Sequence, residues 1–195
     1  MINESVFENF PQLESERLIF REIKVSDAAD IQFIRSNDQV MSYMERPKHL
    51  SKNDSEIFIL KKKEAYRNKK GIYWAIIEKS TEEFIGDFAF GNIIKENARA
   101  EIGYTLKPQF WGKGYMKETM VSLINFGFND LKLHSFEADV NPENENSKKA
   151  LIKMGFKKEA YFRENLFFNG EFFDSEVYSL LERDFIYHKK STNKL

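Results

Sequence analysis

The sequence predicts a single α/β domain of the α+β kind, with a mixed, mostly antiparallel central sheet of about seven strands and about four helices. Three observations predict it: a run of strand-like segments through the middle of the chain, a glycine-containing turn that leads from a strand into a long amphipathic helix, and a hairpin signal near the C-terminus. The length of 195 residues suits one domain, and 42% hydrophobic and 15% aromatic residues suffice for one substantial core.

The chain opens with a strand and a helix. Residues 18–23 alternate between two faces, which is typical of a short strand, and Ser26-Asp27 then caps the first helix. After the loop Met41–Leu50, Asn53-Asp54 start a second amphipathic helix that ends at Gly71. The apolar positions predicted for the two helices are Ala28, Ile31, Phe33 and Ile34 in the first and Ile57, Ile59, Leu60 and Tyr66 in the second.

Three further strands are predicted at residues 73–78, 84–94 and 98–106. Each is rich in aromatic or β-branched residues and is joined to the next by a polar turn, which predicts an antiparallel meander. A helix from about 114 to 131 and a strand at 135–140 follow. One face of that helix carries Met116, Met120, Leu123, Ile124 and Gly127.

The last elements are a helix at 147–154, ended by Gly155, and two strands at 158–168 and 171–181. Asn169-Gly170 separates the two strands, and this dipeptide is a strong signal for a two-residue hairpin turn. Residues 189–195 are expected to form a short polar tail on a domain that spans residues 1–195.

Composition argues against several classes of protein. With 30 basic and 31 acidic side chains the net charge is −1, so the footprint of a direct nucleic-acid binder is missing. Cysteine is absent and only three histidines occur, without ligand spacing, so no metal site is expected. Residues 1–10 contain acids and no long apolar run, which favours a cytoplasmic protein with no membrane association.

The segment Glu101–Met116 carries the strongest functional signal. A strand-like stretch runs into a proline-containing turn, then Gln109, Gly112 and Gly114, and then the long amphipathic helix. Glycines let the backbone approach an anion, and the free N–H groups at the start of a helix point toward it, aided by the helix dipole. The segment therefore predicts a site for a pyrophosphate.

Two better-known glycine loops do not fit this segment. A P-loop needs Lys and Ser or Thr after its last glycine, but Tyr115 and Met116 follow Gly114. A dinucleotide-binding loop needs a third glycine or alanine where Lys117 stands. A triphosphate and a dinucleotide are both disfavoured as ligands.

The remaining pattern, Gln-x-x-Gly-x-Gly between a strand and a helix, resembles the acetyl-CoA loop of the GCN5-related N-acetyltransferases. Further motifs in the same order resemble the RimJ/RimL-like branch of that family, which acetylates protein N-termini and other primary amines. The resemblance covers roughly residues 13–185. These motifs are Ser15–Glu22, Tyr73–Ile77, Phe84–Gly86, Glu101–Tyr104, Asn144 with Ser147, Leu151, Met154–Phe156, and Asp174 with Val177 and Tyr178.

The resemblance implies an acetyl-CoA-dependent N-acetyltransferase that transfers the acetyl group directly in a ternary complex, with a V-shaped splay between the fourth and fifth strands. Lys113 and Lys117 could add charge to the loop or be solvent-exposed. The expected partners are acetyl-CoA and an amine acceptor, with homodimer formation left open. The residues expected to bind the cofactor are Tyr104, Thr105, Leu106, Gln109, Gly112, Lys113, Gly114, Tyr115 and Asn144.

Two residues are candidates for the chemistry. Glu101 is the preferred base, directly or through water, because it is an acid in an otherwise apolar strand; the alternative is a carboxylate that only forms a salt bridge. Ser147 matches the position whose hydroxyl could donate to the departing sulfur. Leu151 stands where many relatives outside this branch have a tyrosine, so water or another tyrosine stays open as the leaving-group acid. Asn144 could contact the CoA arm, cap a helix, or do both.

The acceptor is expected in a pocket formed by the loop Met41–Leu50, the second helix, and strand residues such as Trp74, Phe88 and Phe90, although core packing is an alternative for each aromatic residue. No acidic cluster that would select a polycation is evident. This mildly favours a peptide N-terminus or a small amine. Two other classes stay open, a CoA-binding regulatory module without activity and an interaction subunit of a larger complex.

Overall fold

The computed structural model describes residues 2–187, and the polar tail predicted at 189–195 lies outside them. Within this range one eight-stranded sheet is flanked by five helices. The strands are β1 Leu13–Glu14, β2 Leu18–Glu22, β3 Ile72–Glu78, β4 Phe84–Ile94, β5 Arg99–Leu106, β6 Ser135–Val140, β7 Lys157–Phe168 and β8 Glu171–Leu181. The helices are α1 Ala28–Ser36, α2 Asp38–Met41, α3 Lys52–Arg67, α4 Tyr115–Asn129 and α5 Glu145–Met154.

The spatial strand order is β1-β2-β3-β4-β5-β6-β8-β7. Every neighbouring pair is antiparallel except β5 and β6, which run parallel and are connected through α4. That pair is registered at three positions alone, Arg99 with Ser135, Ala100 with Phe136 and Glu101 with Glu137. The fold class predicted from the sequence is confirmed, and the predicted splay lies between β5 and β6.

Two apolar clusters cover the two faces of the sheet. The larger one joins β2–β6 and β8 to α4 and α5, and includes Trp74, Phe88 and Phe90, each at most 1% exposed. The smaller one joins the other face to α1 and α3. Trp74 stacks edge-on against Phe90 and against Phe126 of α4. Trp74, Phe88 and Phe90 therefore pack in the core, as the core-packing interpretation had it, and do not line an acceptor pocket.

The sequence placed too many apolar residues in the interior of α1 and α3. Ile31, Ile34 and Ile59 are fully buried, whereas Phe33, Ile57 and Leu60 are between 44% and 53% exposed. Two helices that cover one face of a sheet need only a narrow apolar stripe each, so the flanking positions stay in solvent. β1 and α2, with two and four residues, went unpredicted because they are too short to show a period.

Local sequence determines the last hairpin turn and the start of α3. The predicted hairpin turn between β7 and β8 is confirmed, because Asn169 and Gly170 both have positive φ, 51° and 89°. α3 begins at Lys52, one residue before the predicted start at Asn53-Asp54, and its N-cap Ser51 forms a reciprocal capping box with Asp54. Asp27 does not cap α1 with its side chain; its carboxylate accepts instead from the main-chain N–H of Lys24 and pairs with Arg21.

Gly127 of α4 tests how tightly the larger cluster is packed. A Cβ atom at this position would lie 2.3 Å from Phe136 and 3.1 Å from Phe90. We expect Gly127→Ala to lower the free energy of unfolding by about 1–3 kcal/mol through overpacking. Denaturant unfolding measures the change, and Gly103→Ala, whose Cβ would meet nothing within 4 Å, is the control. Equal stability of the two variants would contradict this account of the core.

Candidate active site

A groove opens where β5 and β6 part. Their pairing stops at Glu101 and Glu137, and β5 continues to Leu106 with no β6 residue registered beside it. On its other side β5 stays paired with β4 as far as Leu106 and Gly86. The edge of β5 that faces β6 therefore presents main-chain groups that a ligand can pair with.

The glycine loop lies at the end of this edge. After β5, a single 3-10 turn at Pro108–Phe110 leads to Gly112 and Gly114, whose φ angles are +72° and +81°. Both angles lie in the left-handed region, which glycine alone adopts without strain. The side chains and main chain from Gln109 to Gly114 are solvent-exposed apart from half-buried Phe110. The loop is thus open to a ligand.

The start of α4 has no side-chain cap. Gly114 occupies the N-cap position, and the first helical hydrogen bond runs from the N–H of Glu118 to its carbonyl at 3.1 Å. The N–H groups of the turn before Glu118 therefore point out of the helix, where the helix dipole adds positive potential. This arrangement suits a phosphate or pyrophosphate.

Arg17 and Glu118 hold the loop in place, a function that the sequence did not reveal. The Glu118 carboxylate accepts from the Arg17 Nε, from the Arg17 main-chain N–H and from the Ser15 hydroxyl, each at 2.7 Å. The Arg17 guanidinium also donates to the carbonyl of Lys113 at 3.1 Å and lies 4.2 Å from the centroid of the Tyr115 ring. The Ser15–Glu22 motif was the available signal, but its partner lies a hundred residues away.

The same contacts set the charge state of Glu118. Burial by itself would raise the pKa of this carboxyl, but hydrogen bonds from Arg17 and Ser15 and the charge of Arg17 outweigh it, so the pKa lies below its ordinary value. A carboxylate held in this way tethers the first strand to the first turn of α4. The loop is therefore held by Arg17 and Glu118 on the side that faces the protein, while its other side stays exposed to solvent.

The main-chain groups predicted to meet the pantetheine arm are only partly free. The indole Nε1 of Trp111 donates to the carbonyl of Leu106 at 2.9 Å, which occupies one expected acceptor. Thr105 is buried and its hydroxyl donates to the carboxylate of Asp87 at 2.7 Å, on the α1 and α3 face. The contacts predicted for Tyr104, Thr105 and Leu106 stay predictions, with the Leu106 carbonyl the weakest among them.

Glu101 stands at the point where the strands part. Its side chain is half-buried, and its carboxylate accepts a hydrogen bond of 2.6 Å from the Nδ2 of Asn92. Because residues alternate along a strand, Glu101 shares the α1 and α3 face with Thr105. Glu101 occupies the last position at which β5 and β6 are paired. The assignment as base stays a prediction.

Asn144 and Ser147 lie at the start of α5. The Oδ1 of Asn144 accepts from the main-chain N–H of Ser147 at 3.0 Å, so Asn144 caps the helix. The hydroxyl of Ser147 lies 2.8 Å from the hydroxyl of Tyr104 on β5. Leu151 is fully buried in the larger cluster. The cap role of Asn144 leaves its amide group available for a ligand.

The loop Met41–Leu50, where the acceptor pocket is predicted, lies next to the tip of the last hairpin. A depression of about 390 Å³ lies between them, lined by Met41, Met44, Arg46, Pro47, Lys48, Leu50, Phe168 and Asn169. The segment is anchored across the splay, because the Nδ2 of Asn141, just after β6, donates to Glu45 at 2.6 Å. The loop predicted to form the acceptor pocket therefore does border a cavity.

Cationic side chains of α1, α3 and this loop lie close to one another. Lys62 of α3 is partly buried, and its pKa is lowered by burial and by the charges of Arg35 and Arg46, against the opposing charges of Asp87 and Glu101. The ammonium of Lys62 lies 5.0 Å from the ring of Phe58, on which the guanidinium of Arg35 also lies, at 4.1 Å. Aromatic faces thus hold two of these cations.

Neither a metal site nor a membrane span is evident in residues 2–187. No group of three or more histidine, aspartate or glutamate side chains in this range could hold a metal ion. No helix in this range has both the length and the apolar character needed to cross a membrane.

Comparison with known proteins agrees with this geometry. Residues 17–157 match the family described as acetyltransferase (GNAT) domain. The chain is 36% identical over 173 residues to the uncharacterized N-acetyltransferase YoaA of Bacillus subtilis, covering 89% of this chain and 98% of the relative. It is 26% identical over 122 residues to the ribosomal protein uS5-alanine N-acetyltransferase of Escherichia coli, covering 62% of this chain and 63% of that protein. Among solved structures, the ribosomal-protein-S5-alanine acetyltransferase of Vibrio fischeri superimposes with a TM-score of 0.78 at 27% identity, covering 90% and 98% of the two chains.

Replacing Gly112 by valine tests the loop as the pyrophosphate site. A β-branched residue at a φ of +72° strains the backbone, so we expect CoA binding to weaken by about 1–3 kcal/mol in calorimetric titration. Gly170→Val is the matched control, because Gly170 also has positive φ and open space around it but lies in the hairpin turn. Unchanged CoA affinity in a folded Gly112→Val protein would remove the loop from the site.

Glu118→Gln tests the bracing of the loop. Loss of the carboxylate charge should reduce CoA affinity about fivefold and the free energy of unfolding by about 0.5–1.5 kcal/mol. Because the folded pKa of Glu118 is depressed, its stabilisation is present above the ordinary carboxyl pKa and is lost as pH falls through the folded value. The stability difference from wild type should therefore shrink in acid.

Glu4→Gln is the control for that variant, since Glu4 forms exposed ion pairs with Lys69 and Lys95 away from the loop. It should leave CoA affinity unchanged. If both variants bind CoA like wild type, the Arg17 and Glu118 contacts serve stability alone.

Proposed function

The chain belongs to the GCN5-related N-acetyltransferase family, in its RimJ/RimL-like branch, and we propose that it acetylates the α-amine of a peptide or protein N-terminus. The chain is an N-acetyltransferase that takes its acetyl group from acetyl-CoA. The proposal concerns the acceptor and the residues that carry out the transfer.

One observation carries the cofactor part of the proposal. The uncapped first turn of α4, behind Gly112 and Gly114, opens toward the free edge of β5. A pyrophosphate bound at the helix start would direct the pantetheine arm along that edge, where strand-like main-chain pairing can hold its amides. The thioester would then lie near the point where β5 and β6 part, beside Glu101.

The reaction we propose is a direct transfer in a ternary complex. The neutral amine attacks the thioester carbonyl, a tetrahedral intermediate forms, and it collapses with release of the CoA thiolate. In this scheme Glu101 accepts the amine proton, directly or through water, and Ser147 donates a hydrogen bond to the departing sulfur. Asn144 adds its amide to the CoA arm while it caps α5.

The charges on the acceptor side support a peptide N-terminus over a polyamine. Lys62 and Arg46 have no carboxylate partner within salt-bridge distance in the described part of the chain, and they repel a second ammonium group of a substrate. A peptide N-terminus brings a single amine, followed by main-chain groups and side chains that the depression near Met41 and Phe168 can receive. The named activities of the Escherichia coli relative and the Vibrio fischeri structure point to the same class.

An acceptor screen by thiol release tests the proposal. Lysine-free peptides beginning with alanine, serine, methionine or aspartate are compared with spermidine and small primary amines, at saturating acetyl-CoA. Matched peptides with a blocked N-terminus are the control, because only the α-amine differs. We expect turnover with free peptides and none with blocked ones. A preference for polyamines would overturn the acceptor assignment, and tight CoA binding without turnover of any amine would indicate a binding module.

Glu101→Gln tests the base. We expect kcat to fall by about 10²–10⁴-fold at neutral pH, with CoA affinity nearly unchanged, because the carboxylate handles the proton of the amine and does not hold the cofactor. Rates measured from pH 6 to 10 should recover partly at high pH, where the free amine is already abundant. Glu137→Gln is the control, since Glu137 is registered beside Glu101 but paired with Arg99. Full activity of Glu101→Gln at every pH would make Glu101 structural.

A further inference from the structure

One hydrogen bond crosses the splay near the start of α5. The hydroxyl of Tyr104, on the free part of β5, lies 2.8 Å from the hydroxyl of Ser147. Tyr104 was expected to contribute main-chain groups alone, and nothing in the sequence pairs it with a residue 43 positions later. The two hydroxyls connect the strand that leaves the sheet with the helix that follows β6.

The Tyr104 side chain is held rigidly. Its ring is stacked on that of Phe88 in the neighbouring strand, with an interplanar angle of 9° and centroids 6.0 Å apart. Burial raises the pKa of Tyr104 to about 12, and the hydrogen bond with Ser147 opposes that rise without cancelling it. The phenol therefore keeps its proton at physiological pH.

Ser147 is fixed from a second direction. Its main-chain N–H donates to Asn144, which sets the backbone of the first turn of α5. The O–H bond of Ser147 can still rotate, and its direction is set by the hydrogen-bond partner of the hydroxyl. A phenol is a better hydrogen-bond donor than an alcohol, so the favoured arrangement has Tyr104 donating and the Ser147 oxygen accepting. The hydrogen of Ser147 is then directed away from Tyr104.

We infer that Tyr104 is a positioning residue for the transfer, because its hydroxyl turns the Ser147 O–H toward the sulfur of the departing thiolate. This inference rests on the proposed function, in which Ser147 faces that sulfur. It adds a residue whose side chain acts through Ser147 and touches neither the acetyl group nor the amine.

The step keeps its atoms and electrons in balance. The amine nitrogen forms the new N–C bond, and the carbonyl π electrons move to oxygen. As the carbonyl reforms, the C–S bond breaks and its electron pair stays on sulfur, where Ser147 donates its hydrogen bond. The amine proton leaves through Glu101 and water and finally protonates the thiolate, so the products are the amide and CoA thiol.

The charge that develops on sulfur explains why the phenol matters for the rate. When Ser147 donates to a sulfur that is gaining negative charge, its oxygen becomes a stronger acceptor and the bond from Tyr104 strengthens. This gain is absent in the ground state. It therefore lowers the barrier without tightening acetyl-CoA binding.

Single-turnover thiol release with enzyme in excess measures the effect, because product release does not limit it. Tyr104→Phe keeps the ring and its stacking on Phe88 and removes the hydroxyl alone. We expect the rate constant to fall about five- to tenfold, with CoA affinity and melting temperature close to wild type. Ser147→Ala should fall at least as far.

A double-mutant cycle separates positioning from independent action. Tyr104→Phe should have little further effect in the Ser147→Ala background, and should again cost about five- to tenfold in the Ser147→Thr background, where a hydroxyl is restored. Tyr66→Phe is the control, because it removes a tyrosine hydroxyl that donates to the carbonyl of Val6.

A wild-type rate in Tyr104→Phe would overturn the inference and leave the proposed function intact. Losses that multiply in the double variant would also overturn it, since they assign Tyr104 and Ser147 separate roles. Absence of thiol release by the wild-type protein with every amine would instead overturn the proposed function, and the inference with it.

Discussion

The parting of β5 and β6 after three registered residues is the constraint on which the site depends. A sheet normally satisfies the polar groups of each strand through both neighbours, and a strand that loses one neighbour leaves main-chain donors and acceptors exposed. Here the break is sustained because β5 remains paired with β4 on its other side, and because Ala100 and Ile102 stay anchored in the larger apolar cluster. The sheet therefore stays intact although this edge of β5 has no neighbouring strand.

The glycine loop, like the open edge of β5, presents main-chain groups that have no partner in the described part of the fold. Its two glycines place the main chain in left-handed conformations, and the helix behind it starts without a side-chain cap. A loop of this kind gains little order from its own sequence. Arg17 and Glu118 fix the conformation of the loop by connecting it to the first strands. These contacts leave the solvent-facing side of the loop free. The amino-terminal motif thus supports the glycine loop through Glu118 and the carbonyl of Lys113.

The residues proposed for catalysis are distributed over both faces of the sheet. The face covered by α4 and α5 holds the larger core and carries Tyr104 and Ser147, while the other face carries Glu101 and the cations of α1, α3 and the intervening segment. In the proposed reaction, the acetyl donor and the amine acceptor therefore approach from opposite faces and meet at the splay.

The sequence by itself determined the fold class, most element boundaries, the hairpin turn and the placement of the glycine loop between β5 and α4. These features rest on local rules: the period of apolar residues, the positive φ that glycine and asparagine tolerate, and motifs confined to a few neighbouring positions. The tertiary structure decided which aromatic residues fill the core, as for Trp74 and Phe88, and how far Glu101 is buried. It also decided the pairs Arg17 with Glu118 and Tyr104 with Ser147. Such contacts join residues 43 to about 100 positions apart, and no local pattern records them, because only the packing of the finished sheet brings them within hydrogen-bond distance.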